Sequence, residues 1–180
     1  LHLSLRRQRQ MCIRDRFYRG EAKVADGFQY FTSVMRPASR GSIRLKSRNP
    51  QDAPEIRLNF LTAQSDMVEM KEGVKRTLEM IRQKGWDELR GKEVSPGLDA
   101  DDDRALEGWI KENAGTGYHA VGTCAMGSGA MSVTDSQGRI HGVDGLRVID
   151  ASLMPRLTTG NTNAPTIMIA EKLAASIRRA

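Results

Sequence analysis

His119 is the residue whose type and setting best suit proton transfer. It is one of three histidines in 180 residues and lies in Gly115-Thr116-Gly117-Tyr118-His119-Ala120-Val121-Gly122-Thr123-Cys124-Ala125-Met126-Gly127. Glycine and small side chains let the backbone come close to another group. An imidazole with an ordinary pKa of about 6.5 accepts a proton near neutrality. Residue type alone leaves two roles open for His119, a general base or a hydrogen-bonded structural group. His141 sits in Gly138-Arg139-Ile140-His141-Gly142-Val143-Asp144-Gly145, a turn-rich stretch where the structural role is simpler. A second segment of interest is Thr159-Gly160-Asn161-Thr162-Asn163-Ala164-Pro165-Thr166. Its two amides, Asn161 and Asn163, can orient a ligand or cap a helix that starts near Pro165. Capping accounts for one amide better than for two. The free N–H groups of such a helix start also favour negative charge nearby.

Both segments need a frame to hold them. Gly27–Met35 is rich in aromatic and β-branched residues and reads as a strand ended by Pro37. Residues 42–47 and 56–60 alternate apolar with polar side chains, the period of half-buried strands, with turn residues Asn49–Pro54 between them. Three strands in succession predict an antiparallel sheet with one wet face. Met67, Met70, Val74, Leu78 and Ile81 then recur at helical spacing, with Ser65 or Asp66 to cap the start and Gly85 to stop the helix. These residues read as core. Asp101, Asp102 and Asp103 open a shorter helix carrying Leu106, Trp109 and Ile110. Acids there complement the helix dipole, and without the spaced ligands of a calcium loop they predict no metal site. After Asn113 come Gly- and Thr-rich loops, a buried-looking strand at Leu146–Ile149, and a largely buried helix from Pro165 to Ile177.

The formal net charge is +6. Five arginines and one aspartate in residues 1–16 supply +4 of it, so the remainder carries an ordinary +2. Arg6–Arg16 resembles one reading frame of a transposon-derived adapter used in preparing DNA libraries, so residues 1–16 are expected to be adapter-derived and disordered. A nucleic-acid arm or transit peptide is the rival reading of that stretch, and no RNA-binding or zinc-finger motif supports a nucleic-acid partner. With Cys12 set aside, Cys124 is the one remaining cysteine. That fits a reducing, cytoplasmic setting, and Cys124 reads as a small buried thiol rather than a nucleophile. No apolar run is long enough to span a membrane.

The two segments, together with Leu146-Arg147-Val148-Ile149-Asp150-Ala151-Ser152-Leu153-Met154-Pro155 and Arg36-Pro37-Ala38-Ser39-Arg40-Gly41-Ser42-Ile43-Arg44-Leu45, resemble the C-terminal part of the glucose-methanol-choline (GMC) flavin oxidoreductases over residues 27–180. The choline dehydrogenase-like branch is the nearest in pattern, since it too has asparagine where other members have histidine at Asn161. The resemblance implies an α+β fold, an antiparallel sheet with packed helices, plus a C-terminal segment that returns to the FAD-binding domain. It divides the chain into 17–112, part of a substrate domain, and 113–180, the active-site and FAD-contacting segment. It implies FAD as cofactor, no metal, and a primary alcohol such as choline as substrate. His119 would take the hydroxyl proton as hydride passes to flavin N5, and Asn161 would orient the substrate oxygen. Asp150, Ala151, Asn161, Thr162 and Asn163 would contact the flavin.

No Gly-x-Gly-x-x-Gly turn is present, because Gly115, Gly117, Gly122 and Gly127 lack the spacing. The chain therefore reads as the C-terminal part of a longer flavoprotein, inactive by itself, whose N-terminal FAD-binding half is its missing partner. Membrane association of that longer enzyme stays open. An alcohol oxidase passing electrons to oxygen, and a free-standing domain without catalysis, are the alternatives that the residues leave standing.

Overall fold

The computed structural model describes residues 9–13, 28–99 and 101–179. They fall into two compact units, one comprising the described residues within 1–34 and 61–115, the other those within 35–60 and 116–180. The segment 35–60, placed by the sequence within a 17–112 part, thus groups with the C-terminal segment.

In the first unit, β1 (Arg9–Ile13) pairs antiparallel with β2 (Phe28–Thr32). This departs from the expectation that residues 1–16 are disordered, for the backbone of Arg9–Ile13 completes the ladder that β2 would otherwise leave open; residues 1–8 and 14–16 lie outside the described residues. Phe28 and Tyr30 meet Trp86 with ring centroids 5.5 and 5.9 Å apart. Helix α1 (Gln64–Ile81) presents the expected face, burying Met67 and Leu78. Its N-cap is Ala63, two residues earlier than Ser65 and three earlier than Asp66, and offers no side-chain acceptor. Gly85 falls in the 3-10 turn Lys84–Trp86 rather than at the helix end. Helix α2 (Asp103–Asn113) sets Leu106 and Ile110 against Met67. Each such buried side chain contributes about 1.5–3 kcal/mol.

The aspartate run at α2 has structural employment. Asp102 accepts from the N–H groups of Arg104 and Ala105 at 3.1 and 2.9 Å, a side-chain N-cap. Asp103 bridges Lys71 and Lys75 of α1 at 2.5 and 2.9 Å. Hydrogen bonds from the two ammonium groups hold the Asp103 carboxyl down at about 2.

The second unit holds β3 (Ser42–Arg44), β4 (Glu55–Arg57) and α3 (Asn163–Ile177). β3 and β4 pair antiparallel with Ile43 opposite Ile56, closed by a turn in which Ser47 and Asn49 donate to Asp52. The expected single sheet of three strands is therefore two separate pairs. Asn59, at φ 49°, breaks the alternation after Leu58, and the side chains of Ile43, Leu45, Ile56, Leu58 and Phe60 are exposed rather than half-buried. Gly41 permits the hairpin, since a Cβ there would strike the Arg57 and Leu58 carbonyl oxygens.

Helix α3 buries Ile169 and Leu173 against Leu153 and Met154 and leaves Ile167 and Met168 exposed, so only one of its apolar faces is covered. Leu146–Ile149 makes isolated bridges instead of a strand: Arg139 opposes Arg147, and the Val148 N–H donates to the Gly138 carbonyl at 2.8 Å. No helix among the described residues is long and apolar enough to cross a membrane.

Gly138 gives this region a test. It stands at φ +72°, and a Cβ would lie 2.5 Å from the Val148 carbonyl oxygen. Gly142 shares the left-handed backbone, φ +75°, but has nothing within 4 Å of its would-be Cβ. In urea unfolding of the chain, Gly142→Ala should lose about 1 kcal/mol from backbone strain. Gly138→Ala should lose about 2–4 kcal/mol, because steric overlap adds to the strain. Equal losses would show that the close approach to Val148 is unimportant.

Candidate active site

Thr116 and Tyr118 set up the approach to His119. The Tyr118 N–H donates to the Thr116 hydroxyl at 3.0 Å, and Tyr118 takes φ 60°. A bulky residue in that region costs about 1–3 kcal/mol and is found chiefly where a site requires it. The residue is 88% exposed. Spacing does not single out Tyr118; the signal in the sequence is an aromatic residue set among glycines directly before the histidine.

Beyond His119 the chain is fastened to the turn Ala151–Leu153. Gly122, at φ +87°, would place a Cβ 3.2 Å from the Met154 carbonyl oxygen. The Cys124 and Met126 N–H groups donate to Ser152 and Leu153 carbonyls at 3.1 and 3.0 Å. Asp150 caps the turn, its carboxylate accepting the Ser152 N–H at 2.7 Å. This ladder ties Asp150 and Ala151 to the histidine segment. Cys124 is half-buried, and the Thr134 hydroxyl donates to its carbonyl at 3.1 Å.

The second segment reaches His119 through a residue other than the amides. His119 Nδ1 lies 3.0 Å from the Thr162 hydroxyl oxygen. Thr162 is buried and occupies the N-cap of α3, while Asn163 is the first helical residue and Pro165 the third. Asn161 and Asn163 flank Thr162 and are exposed. The structure thus brings His119 and Thr162 into contact, sets Asn161 and Asn163 on either side, and joins Asp150 and Ala151 through the backbone. His119 Nε2 makes no hydrogen bond among the described residues and is open to a ligand. His141 behaves as a structural histidine, with Nε2 3.0 Å from the Gly127 carbonyl oxygen.

Two clefts lie elsewhere. One of about 550 Å³ is lined by Asp135, Arg139, His141, Arg147 and Ile177, and one of about 440 Å³ by charged residues of α1 with Asp99 and Asp101. Neither includes His119 or Asn161.

Residues 37–170 match the model of the C-terminal domain of GMC oxidoreductases. The chain is 49% identical over 162 residues to an oxygen-dependent choline dehydrogenase of Chromohalobacter salexigens, covering 89% of this chain and 29% of that protein. A Pseudomonas fluorescens protein of the same name is 48% identical over the same shares. The chain therefore spans less than a third of the length of the curated relatives it matches. Among solved structures, pyridoxine 4-oxidase from Mesorbium loti superposes with a TM-score of 0.83 at 26% identity, covering 89% of this chain and 31% of that one. An FAD-dependent oxidoreductase from Chaetomium thermophilum gives 0.78 at 28% identity, covering 87% and 27%.

Proposed function

The chain belongs to the GMC oxidoreductase family, and on that footing we propose that it is the active-site segment of an FAD-dependent, choline dehydrogenase-like enzyme oxidising a primary alcohol. The observation that carries this reading is the hydrogen bond between His119 and Thr162, which joins the two chemistry-bearing segments and leaves Nε2 open.

The residues present fit one side of a flavin. Thr162 places no side-chain cap on α3, and Asn163 and Ala164 are exposed residues at the positive end of a 15-residue helix. Such an end suits the electron-rich pyrimidine edge of a flavin ring. Asn161, Thr162 and Asn163 would hold that edge, and Asp150 and Ala151 the ribityl-phosphate region. The pyrophosphate and the rest of the substrate pocket fall to the remaining polypeptide, to which this C-terminal segment returns. Residues 1–16 are proposed to be adapter-derived.

FAD, when bound, supplies the electron sink that takes the alcohol's hydride at N5. His119 Nε2 receives the hydroxyl proton and, once charged, stabilises the alkoxide character of the substrate oxygen. Asn161 donates its amide N–H to that oxygen and fixes the carbinol carbon's orientation. The exposed Tyr118 ring offers a π face to an alcohol bearing a quaternary ammonium group, as choline does.

The test is steady-state oxidation of choline by the full-length flavoenzyme carrying this chain, with an artificial electron acceptor and with oxygen. Choline should be turned over, and Asn161→Ala should slow turnover by about 3- to 10-fold, the loss of one orienting hydrogen bond. Asn161→His should retain part of the activity. An enzyme loaded with flavin that oxidises no primary alcohol would refute the proposal.

A further inference from the structure

The side chain of Thr162 is in an unusual position for its place in the helix. An N-cap threonine ordinarily accepts a hydrogen bond from the N–H of the second or third helical residue. The third residue here is Pro165, which has no N–H. Thr162 makes no side-chain cap, and its hydroxyl is 3.0 Å from His119 Nδ1 instead. Its backbone is held independently, because the Thr166 N–H and hydroxyl both donate to the Thr162 carbonyl, at 3.0 and 2.7 Å. The residue is 8% exposed, so water competes poorly for the hydroxyl. A β-branched side chain in a buried setting also has little χ1 freedom.

From this we infer that Thr162 is the positioning residue of the site, one that fixes the ring orientation and proton location of His119. This rests on the reading of His119 as proton acceptor. A neutral imidazole carries one N–H, and the partner of one nitrogen decides which nitrogen keeps its lone pair. With Nδ1–H donating to the Thr162 oxygen, the lone pair is on Nε2, the nitrogen open to a ligand. When Nε2 takes the alcohol proton, Nδ1–H keeps the same acceptor, so the charged ring is formed without loss of a hydrogen bond. The opposite polarity would place the proton on Nε2 and block acceptance. The proline removes one of the two helical N–H donors that would compete for the hydroxyl holding the base.

The experiment is anaerobic reduction of the full-length flavoenzyme by choline, for wild type, Thr162→Val, Thr162→Ser, His119→Ala and the Thr162→Val/His119→Ala double variant. Thr162→Val keeps the shape and removes the acceptor. It should slow the limiting reduction rate per bound flavin by about 3- to 10-fold, with half-saturating choline unchanged. Thr162→Ser should stay within about twofold of wild type, and in the His119→Ala background Thr162→Val should add no further loss. Should Thr162→Val not take up flavin, Thr162→Ala against Thr162→Ser carries the same comparison. The inference is overturned by a Val variant as fast as wild type, by a Ser variant as slow as Val, or by an equal Val effect with and without His119. A slow His119→Ala enzyme beside a fast Thr162→Val enzyme would sink the positioning role alone. A wild-type rate in His119→Ala would sink the base assignment and this inference with it.

Discussion

Replacing His119 with alanine in the full-length flavoenzyme should lower alcohol turnover by about 100- to 10,000-fold, the range for loss of a positioned acid–base group. The ring is held at Nδ1 by a buried hydroxyl and open at Nε2, the arrangement that the proposed proton transfer requires. Alanine removes the acceptor and leaves the Thr162 hydroxyl facing a gap. The loss should be mainly in kcat, because proton acceptance strengthens in the transition state rather than on binding. A structural histidine would behave differently. Its removal would loosen the start of α3 at Thr162 and cost flavin or stability, with turnover per bound flavin intact. Absorbance of the purified protein gives flavin content, and turnover divided by that content separates the two.

The 180-residue chain expressed alone should be colourless and inactive. No Gly-x-Gly-x-x-Gly turn is present to cradle a pyrophosphate, so the strongest handle on FAD is missing. Apolar side chains also stand open to solvent: Ile167 and Met168 on α3 are 55% and 56% exposed, and Leu45 beside β3 is 88% exposed. The measurement is the flavin spectrum and alcohol turnover of the purified chain after incubation with FAD. A stoichiometric yellow protein that oxidises alcohol would show that these residues are sufficient.

Much of this was legible in the residues. Three- and four-residue spacing located the core face of α1, since Met67 and Leu78 are buried, and the dipole argument located the aspartates of α2. The His119 loop and the Asn161–Asn163 segment stood out because glycines and amides cluster there. What escaped was the contact between them. His119 and Thr162 are 43 residues apart, and a threonine between two asparagines gives no local sign that its hydroxyl leaves the helix cap. Strand pairing escaped for a related reason: β2 pairs with Arg9–Ile13, a segment that reads as adapter-derived and disordered. The α3 composition promised a largely buried helix, and only the Ile169 and Leu173 face is buried within this chain.

The central claim is that His119 accepts the substrate proton at a flavin. It is tested most directly by rapid anaerobic mixing of the full-length enzyme with choline, following loss of oxidised-flavin absorbance and normalising to flavin content. Wild type should be reduced within the time of one turnover, and flavin-loaded His119→Ala should be reduced about 100- to 10,000-fold more slowly. Reduction of the alanine enzyme at the wild-type rate would contradict the assignment.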